Sequence, residues 1–393
     1  MLDNRIASID ILRALTMLLM IWVNDFWTLY NVPKWLQHAK ATEDYLGFSD
    51  IILPLFLFIV GLSIPIAINE RIIKGYSKIS IAKHAIIRSF SLLIIGVFMV
   101  NYETAHHESI IIGKFWWCIL MAISIGLIWM HWKQSPVAEK FHNPLQLAGV
   151  LLLTFLAVIY KGGSDGEIWM TTQWWGILGL IGWAYLFNAL GFILFKGNFG
   201  IMIGLFLALS VLSILHHSDV LPTLPGGLSF MSTIYSGTIP AFTSAGIISI
   251  LLYKKLFKKH SQWIFPVLLT LGFLILSFGL KIRPIWGISK IHGTPSWLSI
   301  GIGISFIIFS ILYVITDVKK KTNWAKLITP AGTATLTCYM LPYIFYPLRE
   351  ILEIRLPELL NNGALGLTSS FIFAILVVLL TGWFEKLGFK LKL

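Results

Sequence analysis

Long apolar runs, separated by short polar segments, follow one another along the whole chain. A helix of about 18 or more apolar residues is long enough to cross a hydrocarbon core of roughly 30 Å. The pattern therefore predicts an all-α fold, a polytopic transmembrane helical bundle of about 11–12 transmembrane helices, in which residues 1–393 form a single domain. The predicted helices cover residues 8–29, 49–70, 83–101, 112–131, 144–161, 171–195, 198–216, 233–255, 263–281, 296–316, 329–350 and 365–386.

The composition excludes a soluble globular protein. The chain is 57% hydrophobic and 12% charged, and a soluble fold of that composition would have too little polar surface to cover its core. Most of the 30 lysines and arginines fall in segments that are cytoplasmic when the N-terminus is cytoplasmic, as the positive-inside rule requires. Membrane orientation thus explains the net charge of +12, and nucleic acid is not predicted as a partner.

The first apolar run is predicted to stay on the protein. It is longer than the apolar region of a signal peptide, lacks a small-x-small cleavage site, and carries Asp10 and Arg13 in its first turns. Both termini are predicted on the cytoplasmic side. We therefore expect an integral protein of a bacterial inner membrane, with the lipid bilayer as a partner and an organelle membrane as the alternative.

A polar segment between the first two helices holds the strongest candidate chemistry. His38 lies there, with Asn24 before it and Asp50 after it. Polar groups at a membrane edge are costly to keep for packing alone. A histidine can act as general base near neutral pH, an amide can hold it, and a carboxylate can orient the imidazole. The alternative is that His38 is an ordinary surface residue; Ser49 beside Asp50 is predicted to cap the second helix.

Asp10 and Arg13 share one face at the predicted cytoplasmic end of the first helix, because they are three residues apart. The planar fork of arginine suits phosphate or carboxylate. The two residues form either a lip for an anionic ligand entering from the cytosol or an internal ion pair. In the second helix, Gly61 and Ser63 with Pro65 predict a kink and a face of small residues.

Three basic residues lie on the predicted outer side, against the positive-inside bias: Lys281, Arg283 and Lys290. They either face an anionic ligand or extend along the membrane interface. Lys290 and the nearby His292 belong to the polar, turn-forming segment Ser289–Trp297, which leads into the tenth predicted helix.

No metal site is predicted. The histidine pairs at 106–107 and 216–217 lack the i, i+4 spacing of a helical site, and the chain has no HExxH or Cys/His pattern. Cys118 and Cys338 both fall inside predicted helices, which argues against a disulfide framework.

Two groups of motifs resemble those of one known family. The N-terminal group is R-x-x-S-[IV]-D-x-x-R at Arg5–Arg13, then Val23–Asn24, His38, and S-D-x-x-x-P-x-F-x-F-I-x-G-x-S at Ser49–Ser63. The C-terminal group is S-K-x-x-G-T at Ser289–Thr294 and the Tyr-x-x-x-Asp spacing at Tyr313–Asp317, with the Pro330 helix after it. In this order the chain resembles the heparan-α-glucosaminide N-acetyltransferase family, a branch of the transmembrane acyltransferases.

The resemblance implies an enzyme that moves an acetyl group from cytosolic acetyl-CoA to the amine of a terminal glucosamine across the membrane. It places His38 at the family's catalytic histidine and Asn24 at the asparagine that supports it. The segment between these two, residues 25–33, is longer than in the family and lacks glycine. Ala14 stands where the family often has glycine. The large soluble outer domain of the lysosomal relatives is expected to be absent.

The predicted catalytic residues are therefore His38, Asn24 and Asp50. His38 would take a proton from the sugar amine, while Asn24 would donate to the developing oxyanion or hold His38. An acetyl-histidine intermediate is the competing route. The predicted acetyl-CoA-binding residues are Arg13, Lys83, Arg88 and Ser63, and the predicted acceptor-binding residues are Asp25, Lys290 and His292.

Three other functions share some of these features. An O-acetyltransferase of a cell-surface polysaccharide would use the same donor and histidine with a hydroxyl acceptor. A secondary transporter would share the helix count, but residues 1–195 and 196–393 show no correspondence as repeats. A non-catalytic sugar-binding protein would survive the loss of His38. A homodimer is expected by analogy with the relatives.

Overall fold

The computed structural model describes residues 6–257 and 260–393. Arg5, the first residue of the N-terminal motif, lies outside this range. Within it the chain forms α-helices and isolated β-bridges and no named strand, so the predicted all-α fold is confirmed. The helices are α1 Ala7–Asn24, α2 Ser49–Ile73, α3 Lys78–Thr104, α4 Lys114–Trp129, α5 His142–Val158, α6 Ile177–Leu194, α7 Phe199–His217, α8 Ser232–Tyr235, α9 Thr238–Phe257, α10 Ile264–Trp286, α11 Pro295–Tyr313, α12 Thr329–Thr333, α13 Thr335–Met340, α14 Pro342–Ile351 and α15 Gly363–Lys386.

Ten helices in the described part of the chain are long and apolar enough to cross a membrane, and α4 is a shorter apolar helix. This supports an integral membrane protein. The predicted eleventh helix, residues 329–350, differs: it is divided into α12, α13 and α14. Ala334 leaves the helical conformation at φ −121° and ψ 49°. Pro342, which lacks a backbone N–H, begins the last of the three pieces.

The chain groups into two compact units. Unit 1 takes its described residues from Met1–Thr16, Pro33–Leu93 and Leu180–Lys326, and unit 2 from Met17–Val32, Ile94–Gly179 and Leu327–Leu393. Helix α1 thus belongs to unit 1 up to Thr16 and to unit 2 from Met17. The assignment of the whole chain to a single domain stays a prediction.

In unit 1, α2 and α9 approach each other closely because glycines face each other at their contact. A Cβ on Gly61 would lie 1.9 Å from the carbonyl oxygen of Thr243, and one on Gly246 would lie 2.1 Å from that of Phe58. The Thr243 hydroxyl also donates to the Leu57 carbonyl at 3.1 Å. Small residues let membrane helices pack at this short range, and the contact fixes the direction of α2, whose first turn carries Asp50.

Unit 2 is built around α4 and α5. The indole of the buried Trp117 donates to the Leu156 carbonyl at 2.9 Å, and the Cys118 thiol donates to the Tyr343 carbonyl at 3.2 Å. The C-terminal segment closes over the end of α4, where the Lys392 N–H donates to the Trp129 carbonyl at 2.8 Å. The Cys118 contact ties α14, one of the helix pieces that replace the predicted eleventh span, to α4.

Candidate active site

The Asp50 carboxylate is held rigidly at the start of α2. Its side chain is 1% exposed, and its Oδ2 accepts backbone hydrogen bonds from Ala39 at 2.9 Å and Gly47 at 3.1 Å. The indole of Trp297, on α11, donates to the Asp50 carbonyl at 3.2 Å. A buried carboxylate is stable only when it is hydrogen-bonded. Oδ2 therefore accepts two backbone hydrogen bonds, and the fixed carboxylate leaves Oδ1 oriented toward one neighbouring side chain.

That neighbour is His38. Its Nδ1 lies 2.7 Å from Asp50 Oδ1. A carboxylate can only accept, so this contact assigns a proton to Nδ1 and leaves the lone pair of a neutral imidazole on Nε2. The His38 side chain is 44% exposed, and within the described residues Nε2 has no hydrogen-bond partner. The arrangement presents an oriented base to solvent.

The loop that carries His38 folds back on the start of α2. The Phe48 N–H donates to the Trp35 carbonyl at 2.8 Å. A Cβ on Gly47 would lie 1.7 Å from the Gln37 carbonyl oxygen, so only glycine fits there. The Ser49 hydroxyl donates to the Leu36 carbonyl. The prediction that Ser49 caps α2 is therefore wrong, because its hydroxyl fastens the loop and α2 has no side-chain cap.

A second loop, residues 287–294, brings a lysine to the same imidazole. Lys290 Nζ lies 3.2 Å from His38 Nδ1. The Thr294 hydroxyl accepts from the Ser289 N–H at 3.1 Å and donates to the Gly287 carbonyl at 3.0 Å, which closes the loop. Gly293 has a positive φ of +66°. Burial lowers the pKa of the Lys290 amine, and the Asp50 carboxylate opposes that shift.

Arg283, one of the basic residues on the predicted outer side, is paired. Its Nε contacts both carboxylate oxygens of Asp44 at 2.9 and 3.1 Å, and its Nη2 donates to the Asp44 carbonyl at 3.0 Å. Asp44 Oδ1 also accepts from the Ile288 N–H at 2.6 Å. Arg283 and Asp44 therefore connect the His38 loop to the Lys290 loop, a role that the sequence did not suggest.

An open cavity of about 610 Å³ lies between these loops and the end of α7. His292, which is exposed, lines it, as do three carboxylates, Glu43, Asp44 and Asp219. Trp286 supplies an aromatic surface. A cavity of this size with a few polar groups is typical of a small-molecule site, and Asp219, which lies outside the ion pairs of Glu43 with Lys34 and of Asp44 with Arg283, suits a ligand that carries an amine.

Two of the predicted acetyl-CoA-binding residues are in contact. Arg13 Nη2 donates to the Ser63 hydroxyl at 2.8 Å, and Arg13 Nη1 lies 3.3 Å from Asp10 Oδ1. Asp317 holds the start of α1, the helix that carries Arg13, because its carboxylate accepts from the Ala7 and Ser8 N–H groups, each at 2.9 Å. The Arg13 fork is thus presented from an anchored helix end.

The other two predicted acetyl-CoA-binding residues are on α3. The Arg88 guanidinium lies 4.9 Å from the centre of the Tyr185 ring, and its buried Nε has no hydrogen-bond partner among residues 6–257 and 260–393. Lys83 is exposed on the same helix. Their assignment to acetyl-CoA binding stays a prediction.

Asn24 and Asp25 belong to unit 2. Asn24 ends α1 and is exposed, and its role beside His38 stays a prediction. Asp25 is 6% exposed, and its Oδ1 accepts from the Tyr346 hydroxyl at 2.7 Å. Its neighbours are side chains of unit 2, and its assignment to acceptor binding also stays a prediction.

Sequence reasoning did not identify Trp297, Tyr346 or the roles of Asp44 and Asp317. The Tyr313–Asp317 spacing pointed to Asp317, but its partner is 310 residues away along the chain. No local pattern reports such a contact. Among the described residues, no group of three or more His, Cys, Asp or Glu side chains could hold a metal ion.

Comparison with known proteins places these residues in a family context. Residues 5–159 match the family model "Heparan-alpha-glucosaminide N-acetyltransferase, catalytic". The Mus musculus protein named heparan-alpha-glucosaminide N-acetyltransferase is 33% identical over 98 residues, which cover 25% of this chain and 14% of that protein. The Homo sapiens protein of the same name is 32% identical over 100 residues, again 25% and 14%.

The aligned stretch spans only a small part of these relatives. The family match includes Asn24, His38 and Asp50, and it ends before Lys290 and His292. The resemblance that the N-terminal motifs predict is confirmed: over residues 5–159 the chain is similar to the catalytic part of the heparan-alpha-glucosaminide N-acetyltransferase family.

Proposed function

We propose that this chain is a transmembrane acetyltransferase that moves the acetyl group of acetyl-CoA to the amine of a glucosamine-type sugar, with His38 as general base. One observation carries the proposal: the imidazole of His38 is oriented through Nδ1 by the buried Asp50, while the side chain is 44% exposed and Nε2 has no hydrogen-bond partner among the described residues. The family match over His38 and Asp50 supports the choice of acetyl transfer.

In the proposed reaction the sugar nitrogen attacks the thioester carbonyl carbon. His38 Nε2 takes the proton that the nitrogen must lose, the C–S bond breaks, and the thiolate of CoA leaves and is protonated. Asp50 keeps the Nδ1 proton in place and stabilises the imidazolium that forms. Asn24 is the proposed donor to the developing oxyanion; one such donor is typically worth about 3 kcal/mol.

Acetyl-CoA is proposed to enter from the cytosol, since it is too large and too highly charged to cross lipid. Arg13 is the strongest candidate to meet its phosphates, because Ser63 and the anchored end of α1 hold the guanidinium in place. A planar guanidinium can bind phosphate in a bidentate manner, through two parallel N–H···O hydrogen bonds. Lys83 and Arg88 complete the proposed donor site, and both termini are proposed to be cytoplasmic in a bacterial inner membrane.

The acceptor is proposed to bind in the cavity that His292 lines. Asp219, which lies outside the ion pairs of Glu43 with Lys34 and of Asp44 with Arg283, would attract the sugar ammonium, and Trp286 would pack against the apolar face of the ring. The amine must then lose its extra proton before it attacks, and His38 is the base proposed to remove it.

The decisive experiment measures transfer of labelled acetyl from acetyl-CoA to glucosamine by the purified full chain in detergent. We expect turnover by wild type and a loss of roughly 10²–10⁴-fold in His38→Ala, the usual contribution of a general base. His260→Ala is the matched control, because His260 is also an exposed histidine of unit 1. It should keep wild-type turnover.

The remaining outcomes each decide something. Binding of acetyl-CoA without acetylation of glucosamine, followed by acetylation of a hydroxyl sugar, would replace the N-acetyl proposal by O-acetyl transfer. Label retained on His38 in the absence of acceptor would establish the acetyl-histidine route. A wild-type protein that does not bind acetyl-CoA would contradict the proposal altogether.

A further inference from the structure

Two groups of opposite charge type meet at one atom of His38. Asp50 Oδ1 lies 2.7 Å from Nδ1, and Lys290 Nζ lies 3.2 Å from the same nitrogen. Nδ1 has a single site for a proton or a lone pair, so it cannot donate to the carboxylate and accept from an ammonium at once. Since the buried carboxylate can only accept, the Nδ1 proton is directed to Asp50, and Lys290 acts on the ring through its charge.

The surroundings leave Lys290 as the principal cation beside His38. Arg283 is bound to Asp44, and Lys34 is bound to Glu43 at 3.1 Å. The titratable and charged groups on the elements around the site are Lys34, Lys40, Glu43, Asp44, Asp50, His216, His217, Asp219, Arg283 and His292.

We propose that Lys290 is a positioning residue for the reaction proposed above: it carries the single positive charge of the His38–Lys290 pair and so keeps the His38 imidazole neutral. The inference rests on the proposed function for its catalytic meaning. It replaces the sequence-based assignment of Lys290 to acceptor binding with a role exerted through the base.

The argument is one of competing charges. Asp50 alone favours the imidazolium, because an opposite charge within hydrogen-bond distance stabilises the charged form. A protonated His38 would put a second positive charge about 3.2 Å from the ammonium, and one buried carboxylate cannot balance both. In water the amine is by far the stronger base of the two, and the Asp50 carboxylate opposes the lowering of its pKa by burial. It therefore retains the proton, and Nε2 of the imidazole stays free to accept one from the acceptor.

Burial of Lys290 limits how strongly it holds that charge. The pKa of its amine is lowered by burial and supported by the Asp50 carboxylate. Because these two effects oppose each other, the charge of the Lys290 amine depends on the groups around it. The loop contacts of Ser289 and Thr294 keep Lys290 Nζ close to His38 Nδ1. Asp50 thus orients the His38 imidazole, and the positive charge of Lys290 opposes its protonation.

The test compares the pH profile of kcat/KM in Lys290→Met, Lys290→Arg and wild type, with Lys281→Met as the control. Lys281 is an exposed lysine on α10 in the same unit. In Lys290→Met the midpoint of the acidic limb should rise by about one pH unit or more, because a like charge has been removed. Lys290→Arg should stay near wild type, and Lys281→Met should match it.

Two results would overturn the proposal. The first is an unchanged acidic limb in Lys290→Met with a raised KM for glucosamine at every pH, which is the signature of acceptor binding. The second is a uniform loss of activity in Lys290→Arg and Lys290→Met alike without any shift in the profile.

A spectroscopic titration separates this inference from the enzymatic proposal. Histidine labelled with ¹³C in the full chain reports the protonation of His38, whose signal is assigned by its loss in His38→Gln. The midpoint should rise in Lys290→Met whether or not glucosamine is the acceptor. An unshifted midpoint would contradict the inference even in an active enzyme, whereas a shifted midpoint in an inactive protein would contradict only the proposed function.

Discussion

Asp50 in unit 1 and Asp25 in unit 2 are both buried carboxylates with a hydrogen-bonded side-chain partner, yet the two partners differ. Asp50 is 1% exposed and contacts His38, whose side chain is 44% exposed. Asp25 is 6% exposed and accepts from the hydroxyl of Tyr346. Each carboxylate fixes its partner through a bond of 2.7 Å.

The difference lies in whether the partner side chain has a second polar atom that the carboxylate does not bind. An imidazole has two nitrogens, so binding Asp50 through Nδ1 leaves Nε2 available for chemistry. A phenol has one oxygen, and in Tyr346 that oxygen is already used by Asp25. A buried carboxylate thus supports chemistry only when its partner has a second polar atom open to solvent. By this criterion Asp50 is an orienting group and Asp25 stabilises its own unit.

The largest expected effect separates the two carboxylates. Asp50→Asn should lower kcat/KM for acetyl transfer by roughly 10²–10⁴-fold, since a carboxamide NH₂ donates to Nδ1 and leaves the proton on Nε2. Steady-state rates with labelled acetyl-CoA measure the loss. Asp25→Asn should lower the thermal midpoint and leave kcat/KM per folded molecule close to wild type.

Two controls make this pair informative. Binding of acetyl-CoA by Asp50→Asn shows that the protein is folded and that the donor site is intact. A raised KM for glucosamine in Asp25→Asn, with kcat retained, would instead support the sequence-based assignment of Asp25 to acceptor binding and break the comparison.

The loop around Asp50 is the next place to break the site. In Gly47→Ala the new Cβ would lie 1.7 Å from the Gln37 carbonyl oxygen, so the backbone must move and the hydrogen bond from Gly47 to Asp50 weakens. We expect a stability loss of about 1–3 kcal/mol, as for overpacked sites, together with a large loss of activity. Thermal unfolding and the transfer assay measure both.

Gly204→Ala is the matched control, because Gly204 lies within helix α7 of unit 1 and its added Cβ meets nothing within 4 Å. Alanine is the better helix former by about 1 kcal/mol. Equal losses in both variants would show that Gly47 has no special place at the site.

The sequence predicted most of the helices and the proximity of His38 and Asp50, for different physical reasons. Apolar length is a local property, so ten spans could be found from hydrophobicity alone. The break in residues 329–350 was missed because a run dense in small and hydroxyl residues remains apolar enough to look continuous. His38 and Asp50 were found because polar residues at a membrane edge are unusual.

Contacts between distant segments could not be predicted in this way. Lys290 approaches His38 from 252 residues away, and Asp44 meets Arg283 from 239 residues away. The role of Ser49 was misjudged for the same reason, since its position at a helix start favoured a cap and its actual acceptor is the Leu36 carbonyl. Local preference was overruled by a loop that folds back on the helix.

Tyr346→Phe tests the Asp25 side of the comparison with a smaller expected effect. The substitution removes the hydroxyl that donates to Asp25 and leaves the ring in place. Leaving a buried acceptor without this donor should cost about 1–3 kcal/mol of stability. Thermal unfolding measures the loss, and kcat/KM should be unchanged. A fall in kcat comparable with that of Asp50→Asn would show that unit 2 takes part in the chemistry.

The smallest effect is expected where charge is exposed. Arg283→Met breaks the pair with Asp44, whose side chains are 42% and 50% exposed. Exposed pairs contribute about 0.2–1 kcal/mol, and the Ile288 N–H still holds Asp44. We expect a slightly lower thermal midpoint and an activity within tenfold of wild type, roughly the range of that free energy, with Lys281→Met as control. A hundredfold loss would mean that joining the His38 and Lys290 loops matters as much as the buried carboxylate does. In that case exposure would no longer distinguish structural charges from catalytic ones in this protein.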